Sequence, residues 1–379
     1  MNQKGNSQLR PEVKSNDRIL IVGPSWVGDM VMAQSLFKVL RQTRPECHID
    51  VLAPPWSRPL LDRMPEVATA IDMPLAHGEL GLGKRWRLGS TLKEQQYDQV
   101  IVLPNSFKSA LVPFFSGITR RTGWRGEKRG WLLNDCRDLD KSALPLMVQR
   151  FTALGVSATS AIPEPTPAPA LEVDQANVEK VARKFSIRTQ GNPILALCPG
   201  AEFGDAKQWP DHYYAAVAED YLERHEGAQV VLFGSTKDRR VCQGIVDQVS
   251  AGMADSAEPD RCYNLAGDTT LAEAVDLLSL ATVVVSNDSG LMHIAASLHR
   301  PLVAIYGSTS SDFTPPLSER VEMLATDIAC RPCFKRTCPL QHKRCLTEIT
   351  PDQVLNAIQR LKQPLIANDG AGSIAFADC

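Results

Sequence analysis

Four ionisable residues stand where chemistry can be done, each just past an apolar run. They are Asp29 in GPSWVGDMVM, Lys207 in CPGAEFGDAKQWP, Asp238 in VVLFGSTKDRR and Asp288 in VVVSNDSGLMHIAASL. A carboxylate in a cleft can take a proton from an attacking hydroxyl, which makes Asp29 a candidate general base. A plain helix cap is the competing role, and a helix N-terminus lowers a carboxylate's pKa while burial raises it. Lys207 lies in a loop opened by Gly200 and Gly204, where a cation can neutralise phosphate. Asp238 follows a Gly-Ser turn and suits either ribose hydroxyls or a helix cap. In SNDSGLMH, Ser289 and Gly290 open a helix whose first amides, residues 289 to 291, point out of a sheet edge and can hold a diphosphate. Asp288 sits awkwardly beside a phosphate, so sugar hydroxyls or a capping role fit it better. His293, one turn further, faces either the cleft or the core.

Positioning these groups requires strands that end at a common edge. RILIVG, CHIDVLA, DQVIVLP, NPILALCPG, AQVVLFG, ATVVVSN and PLVAIYG read as continuous apolar strands, and helical patterns alternate with them. Such runs fit parallel sheets covered on both faces. Four prolines between Pro163 and Pro169 exclude a regular helix or central strand there. The expected class is therefore α/β, two doubly wound Rossmann-like domains with a cleft between them. Residues 1–17 read as a disordered lead-in, 18–162 as the first domain, 163–173 as a linker, 174–362 as the second domain and 363–379 as a tail.

Composition excludes several classes. With 44% hydrophobic and 22% charged residues and a net charge of −2, the chain is an ordinary globular protein. No apolar run reaches the 18 residues of a bilayer span, and the first residues lack a secretory core, so a cytoplasmic location is expected. No G-x-G-x-x-G stands at the first turn and no G-x-x-x-x-G-K-[ST] occurs anywhere, which disfavours a dehydrogenase or a P-loop enzyme. Charge is uneven: residues 1–160 carry 22 Lys+Arg against 15 Asp+Glu, the rest 19 against 28. The basic half could meet lipid headgroups, nucleic acid or an acidic substrate. Cys330, Cys333, Cys338 and Cys345, with His342 nearby, have spacing compatible with a structural metal, a disulfide or plain thiols. Asp138 and Asp140 form a D-x-D whose flanking Arg137 and Lys141 favour a solvated charge run over a metal site.

GPSWVGDMVMAQSLFKVL, APPWSRPLLDRMPEV, LPNSFKSALVPFF, RTGWRG, CPGAEFGDAKQWP, VVLFGS and SNDSGLMHIAASLHRPLVAIYG followed by DFTPPLS together resemble glycosyltransferase family 9, the heptosyltransferases of lipopolysaccharide core assembly. The resemblance covers residues 18 to about 320. It implies a GT-B fold, an acceptor site in the first domain and an ADP-L-glycero-D-manno-heptose site in the second. It implies inverting transfer to a heptosyl-Kdo2-lipid A acceptor, with Asp29 as base and Lys207 and Asp288 at the donor's phosphates and heptose. Ser289 and Gly290 would form the phosphate turn, Asp238 would meet the ribose, and Thr269 would lie near adenine. No cofactor or metal is implied, because lysine and a helix terminus can replace a divalent ion. KRWR (84–87) and the stretch 120–131, including Arg120, Arg121 and Arg125, then read as contacts to an anionic acceptor. The tryptophans among them suit peripheral docking at the inner face of the inner membrane rather than nucleic acid. A family member with another acceptor, or a nucleotide-sugar binding protein without turnover, would share the donor residues.

Overall fold

The computed structural model describes residues 17–75, 78–189, 191–254 and 260–362; apart from Asp17, the expected lead-in and tail lie outside the described residues. Strands β1 (Arg18–Val22), β2 (His48–Ala53), β3 (Thr69–Asp72), β4 (Gln99–Val102), β5 (Arg120–Trp124) and β6 (Asp135–Arg137) form one sheet in the order β3-β2-β1-β4-β5-β6. A second sheet holds β7 (Ile194–Cys198), β8 (Gln229–Leu232), β9 (Cys262–Asn264), β10 (Val283–Asn287), β11 (Leu302–Ile305) and β12 (Val321–Leu324), in the order β12-β11-β10-β7-β8-β9. All neighbours in both sheets are parallel. Both sheets share one plan, in which winding reverses between the first and fourth strands. Open α/β sheets bind ligands at the carboxyl end of that reversal.

The first lobe carries helices α1 (Val27–Thr43), α2 (Arg58–Leu61), α3 (Leu82–Lys93), α4 (Leu111–Phe115) and α5 (Met147–Thr152). The second carries α6 (Gln175–Lys184), α7 (Asp211–Arg224), α8 (Arg239–Gly252), α9 (Leu271–Leu278), α10 (Gly290–Ser297), α11 (Arg344–Thr347) and α12 (Pro351–Lys362). The central strands are buried throughout, as in ILALC, or after their first residue, as in RILIV beyond Arg18, because helices cover both faces and leave no place for alternation. All seven strands read from apolar runs are present. The short flanking β3, β5, β6, β9 and β12 were not legible as strands, since they are polar or partly exposed. β5 is the sharpest correction: RRTGW, read as a basic contact loop, is a strand between β4 and β6.

The proline-rich linker runs extended along α1. Gln34 donates to the Ala170 carbonyl and accepts from the Ala170 N–H, both at 2.8 Å, and Lys38 Nζ reaches the Ala168 carbonyl at 2.7 Å. Beyond it, Arg63 of the first lobe meets Asp276 of the second at 2.6 Å, and Asp276 also accepts from Asn177 at 2.6 Å. Asp276 is fully buried. Removing one member of such a pair strands a buried charge, so Arg63→Met should destabilise folding by about 3 to 5 kcal/mol. Urea unfolding checks this, and a loss below about 1 kcal/mol would show that the lobes do not depend on the pair.

Candidate active site

A cleft of about 1910 Å³ runs between the lobes at the carboxyl ends of both sheets. Asp29 faces it from the first lobe; Lys207, Asp238, Thr269, Asp288, Ser289, Gly290 and His293 face it from the second. Eight residues spread over 265 positions thus line one cavity, since the loops after β1, β7, β8, β9 and β10 all leave their sheets on this side.

Asp29 is in the first turn of α1, where Trp26 is the N-cap and no side chain caps the helix. Its carboxylate receives no hydrogen bond among the described residues, which removes the cap reading. Burial dominates its electrostatics and pushes the pKa from 3.8 to about 6; Lys207 across the cleft lowers it and Asp288 raises it. Burial therefore outweighs the helix terminus, leaving a half-buried carboxylate that is ionised at neutral pH and basic enough to accept a proton.

Opposite, Lys207 Nζ donates to Asp288 Oδ2 at 2.6 Å and to the Asp288 carbonyl at 3.3 Å. Thr309 donates its hydroxyl to the same carboxylate oxygen at 2.5 Å, and Phe203 lies under the ammonium, 5.1 Å from ring centre to Nζ. Asp288 thus holds Lys207 at the mouth of α10. Ser289 is the N-cap of α10 with no side-chain cap bond, so the first-turn amides remain open to an anion. Asn287, fully buried, accepts from Trp209 N–H at 3.1 Å and Tyr214 OH at 3.0 Å and donates to the Pro199 carbonyl at 2.6 Å, tying the ends of β7 and β10 together.

Asp238 Oδ2 accepts from the backbone and the hydroxyl of Ser235, at 2.8 and 2.7 Å. A Cβ on Gly200 would lie 2.6 Å from the Asp238 carboxyl carbon, so glycine there leaves room for that carboxylate at the cleft wall. Thr269 precedes Thr270, the N-cap of α9. His293 is buried against the other lobe, and burial lowers its pKa to about 4, keeping it neutral.

The three arginines expected at the acceptor do not line this cleft. Arg120 and Arg121 begin β5, at the sheet edge away from it; Arg120 pairs with Asp135, and Arg121 donates to the carbonyls of Leu132 and Ile118. Arg125 is exposed and pairs with Asp138 at 2.5 Å. Inside the cleft, the first lobe instead presents Arg85, Lys108 and Arg150. Arg85 lay in KRWR and Lys108 in LPNSFKSALVPFF, though Lys108 was not singled out there, and Arg150 is an isolated cation that gave no signal.

Arg129, expected with the rest of the stretch 120–131 to contact the acceptor, turns inward instead. It is completely buried, with no carboxylate partner among the described residues, and burial lowers its pKa to about 10, still charged at neutral pH. Its guanidinium donates to the Pro104 carbonyl, to Ser109 Oγ at 2.8 Å, to Asn105 Oδ1 at 3.0 Å and to the Trp124 carbonyl at 2.9 Å. It therefore moulds loop 104–109, which lines the cleft beside Asp29. Lysine keeps the charge but not the planar fork, so Arg129→Lys should speed amide exchange in this loop at least about tenfold, while α9 in the other lobe stays unchanged.

The four clustered cysteines and His342 line a separate cavity of about 20 Å³. All four thiols are free, and among the described residues no three His, Cys, Asp or Glu side chains stand together as a metal site. This segment braces the Lys207 loop: Ala206 N–H donates to the Arg336 carbonyl at 3.0 Å, and Lys343 pairs with Asp205 at 2.7 Å.

Two facing doubly wound lobes, an acid on one and a cation with a helix mouth on the other, define the class of nucleotide-sugar transferases with a GT-B fold. The chain belongs to glycosyltransferase family 9 (heptosyltransferase), whose pattern matches residues 85–344. It is 48% identical to lipopolysaccharide heptosyltransferase 2 of Escherichia coli K12 over 91% of this chain and 98% of that protein. The solved structure of E. coli ADP-heptose lps heptosyltransferase II superposes with a TM-score of 0.80 at 46% identity, covering 91% of this chain and 98% of the other. Identity to lipopolysaccharide heptosyltransferase 1 of Pseudomonas aeruginosa is 26%, over 89% of this chain and 93% of that protein.

Proposed function

We propose that this glycosyltransferase moves L-glycero-D-manno-heptose from ADP-heptose to the heptose of heptosyl-Kdo2-lipid A, with inversion and without a metal cofactor. The observation that carries the reading is the opposition of Asp29, with its raised pKa, to Lys207 and the open mouth of α10 across one cleft. Asp29 takes the proton of the acceptor hydroxyl as that oxygen bonds the anomeric carbon. The bond from that carbon to the β-phosphate oxygen breaks on the opposite face, and ADP leaves with the electron pair. Lys207 and the amides of residues 289–291 receive the charge growing on the diphosphate, where preorganised donors speed the step most. Asp238 and Thr269 would hold the nucleoside, and Arg85, Lys108 and Arg150 the acidic acceptor.

The acceptor assignment is supported by 48% identity to a heptosyltransferase 2, against 26% to a heptosyltransferase 1. Incubation with ADP-heptose and either heptosyl-Kdo2-lipid A or Kdo2-lipid A tests it by ADP release and product mass. Transfer only to the heptosylated acceptor is expected; transfer only to the other assigns the first heptose instead.

Docking of this enzyme at the inner face of the inner membrane, from the cytoplasm, is part of the proposal. Among the described residues no helix is long and apolar enough to cross a membrane. The first lobe exposes Trp131 (65%) and Trp86 (57%), with Phe114 5.7 Å from Trp131 between ring centres. Arg87 and Lys128 are exposed nearby in sequence without a carboxylate partner among the described residues. Aromatic rings and cations on one lobe suit an anionic bilayer surface. Vesicles with one-third anionic lipid should sediment the protein, neutral vesicles should not, and Trp86→Ser/Trp131→Ser should weaken sedimentation about tenfold. Equal sedimentation of the double variant would move the docking surface elsewhere.

A further inference from the structure

The lobes touch through the first turns of α1 and α10. A Cβ built on Gly28 would lie 2.7 Å from His293 Cδ2, with the Gly290 Cα only 3.7 Å away. A Cβ built on Gly290 would lie 2.6 Å from Val27 Cβ and 3.4 Å from the Gly28 nitrogen. Neither glycine has a positive φ. Both are in helical first turns, where alanine would fit the backbone and favour the helix by up to about 1 kcal/mol. Within either lobe alone, a methyl group at Gly28 would therefore be harmless. What excludes it is the other lobe.

We infer that Gly28 is a positioning residue whose missing side chain fixes the distance between the proton-accepting lobe and the donor lobe. The inference rests on the reading of Asp29 as the base. Asp29 follows Gly28 directly, and Asp288 and Ser289 precede Gly290, so this contact between helix ends sets how near Asp29 comes to Lys207 and the open amides. The His293 ring is the stop against which Gly28 rests. Any atom inserted there wedges the lobes apart or displaces the ring, and an error of about 1 Å in such a geometry costs about 100-fold in rate.

The experiment compares Gly28→Ala, His293→Ala and the double variant. Gly28→Ala should lower kcat about 100-fold while ADP affinity, measured by calorimetry, stays within about twofold, because the nucleotide site is on the other lobe. In the His293→Ala background the added methyl has space, so the same substitution should cost less than about fivefold. Contacting residues show such non-additivity and independent ones do not. Amide exchange in the first turns of α1 and α10 gives a readout that needs no turnover. It should quicken in Gly28→Ala and return toward the His293→Ala level in the double variant.

Equal kcat losses in both backgrounds, or a parallel loss of ADP affinity, would overturn the inference. If Gly28→Ala does not fold, the double variant should, and misfolding of both would overturn it too. Absence of heptose transfer by the unaltered enzyme would defeat the proposed reaction instead, leaving the exchange comparison to decide the contact.

Discussion

Asparagine at position 29 is expected to lower kcat about 1000-fold, within the range a positioned base supplies, with the ADP-heptose KM changed less than about twofold. A matching loss of donor affinity would make Asp29 structural. The pH profile gives an independent check. The base must be ionised to work and burial lifts its pKa to about 6, so kcat/KM should fall tenfold per pH unit below about 6 and be flat above it. Folding stability moves the other way. The native carboxyl holds its proton between pH 3.8 and about 6, where the unfolded chain has released it, so stability declines as pH rises through that window. The penalty is absent below the window and complete above it. A shift of this size corresponds to at most about 3 kcal/mol. Asp29→Asn should therefore exceed the parent protein in stability by about 1 to 3 kcal/mol at pH 7, and the gap should close near the lower end of the window. Thermal unfolding across that range measures it.

Lys207→Ala should be the most damaging change on the donor side. Asp288 is 4% exposed and would keep only Thr309 as a hydrogen-bond donor to its carboxylate. Stranding a buried carboxylate costs about 3 to 5 kcal/mol, which for a domain of this size lowers the melting midpoint by about 10 °C. ADP affinity should drop about 10- to 100-fold, the worth of a charge-assisted hydrogen bond. The two effects separate in Lys207→Ala/Asp288→Asn, which should recover most of the stability and none of the affinity. Unchanged ADP affinity in Lys207→Ala would remove the lysine from the diphosphate site.

The second lobe's side of the cleft was legible because its residues follow apolar strands directly. ILALC leads to Lys207 and VVVSN to Asp288, and a chain leaving a buried parallel strand must emerge at the ligand edge. The cations on the first lobe's side were not. Runs such as RRTGWRGEKRGW looked like one basic surface, yet within them Arg121 ends on backbone carbonyls, Arg125 on Asp138, and Arg129 points inward to shape a loop twenty residues earlier. Local charge density does not reveal which guanidinium turns inward. Lys108 and Arg150 reach the cleft as lone cations, with no neighbouring charge in the sequence to mark them. The same limit applied to Asp288, whose partner Lys207 is 81 residues away. Its carboxylate was expected to accept sugar hydroxyls or to cap the helix, and its pairing with Lys207 had no signal in the sequence.

The clasp of Gln34 and Lys38 on Ala170 and Ala168 decides which half can swing. Because the connecting segment is fastened to the first lobe at Ala168 and Ala170 and again at Glu172, whose N–H donates to the Arg63 carbonyl at 2.9 Å and whose carbonyl accepts from Arg63 at 3.0 Å, any bending falls in the few bonds between Glu172 and the start of α6 at Gln175. The second lobe is then hinged on a short wrist, so turnover should respond to mutations at that wrist long before it responds to changes in proline content upstream.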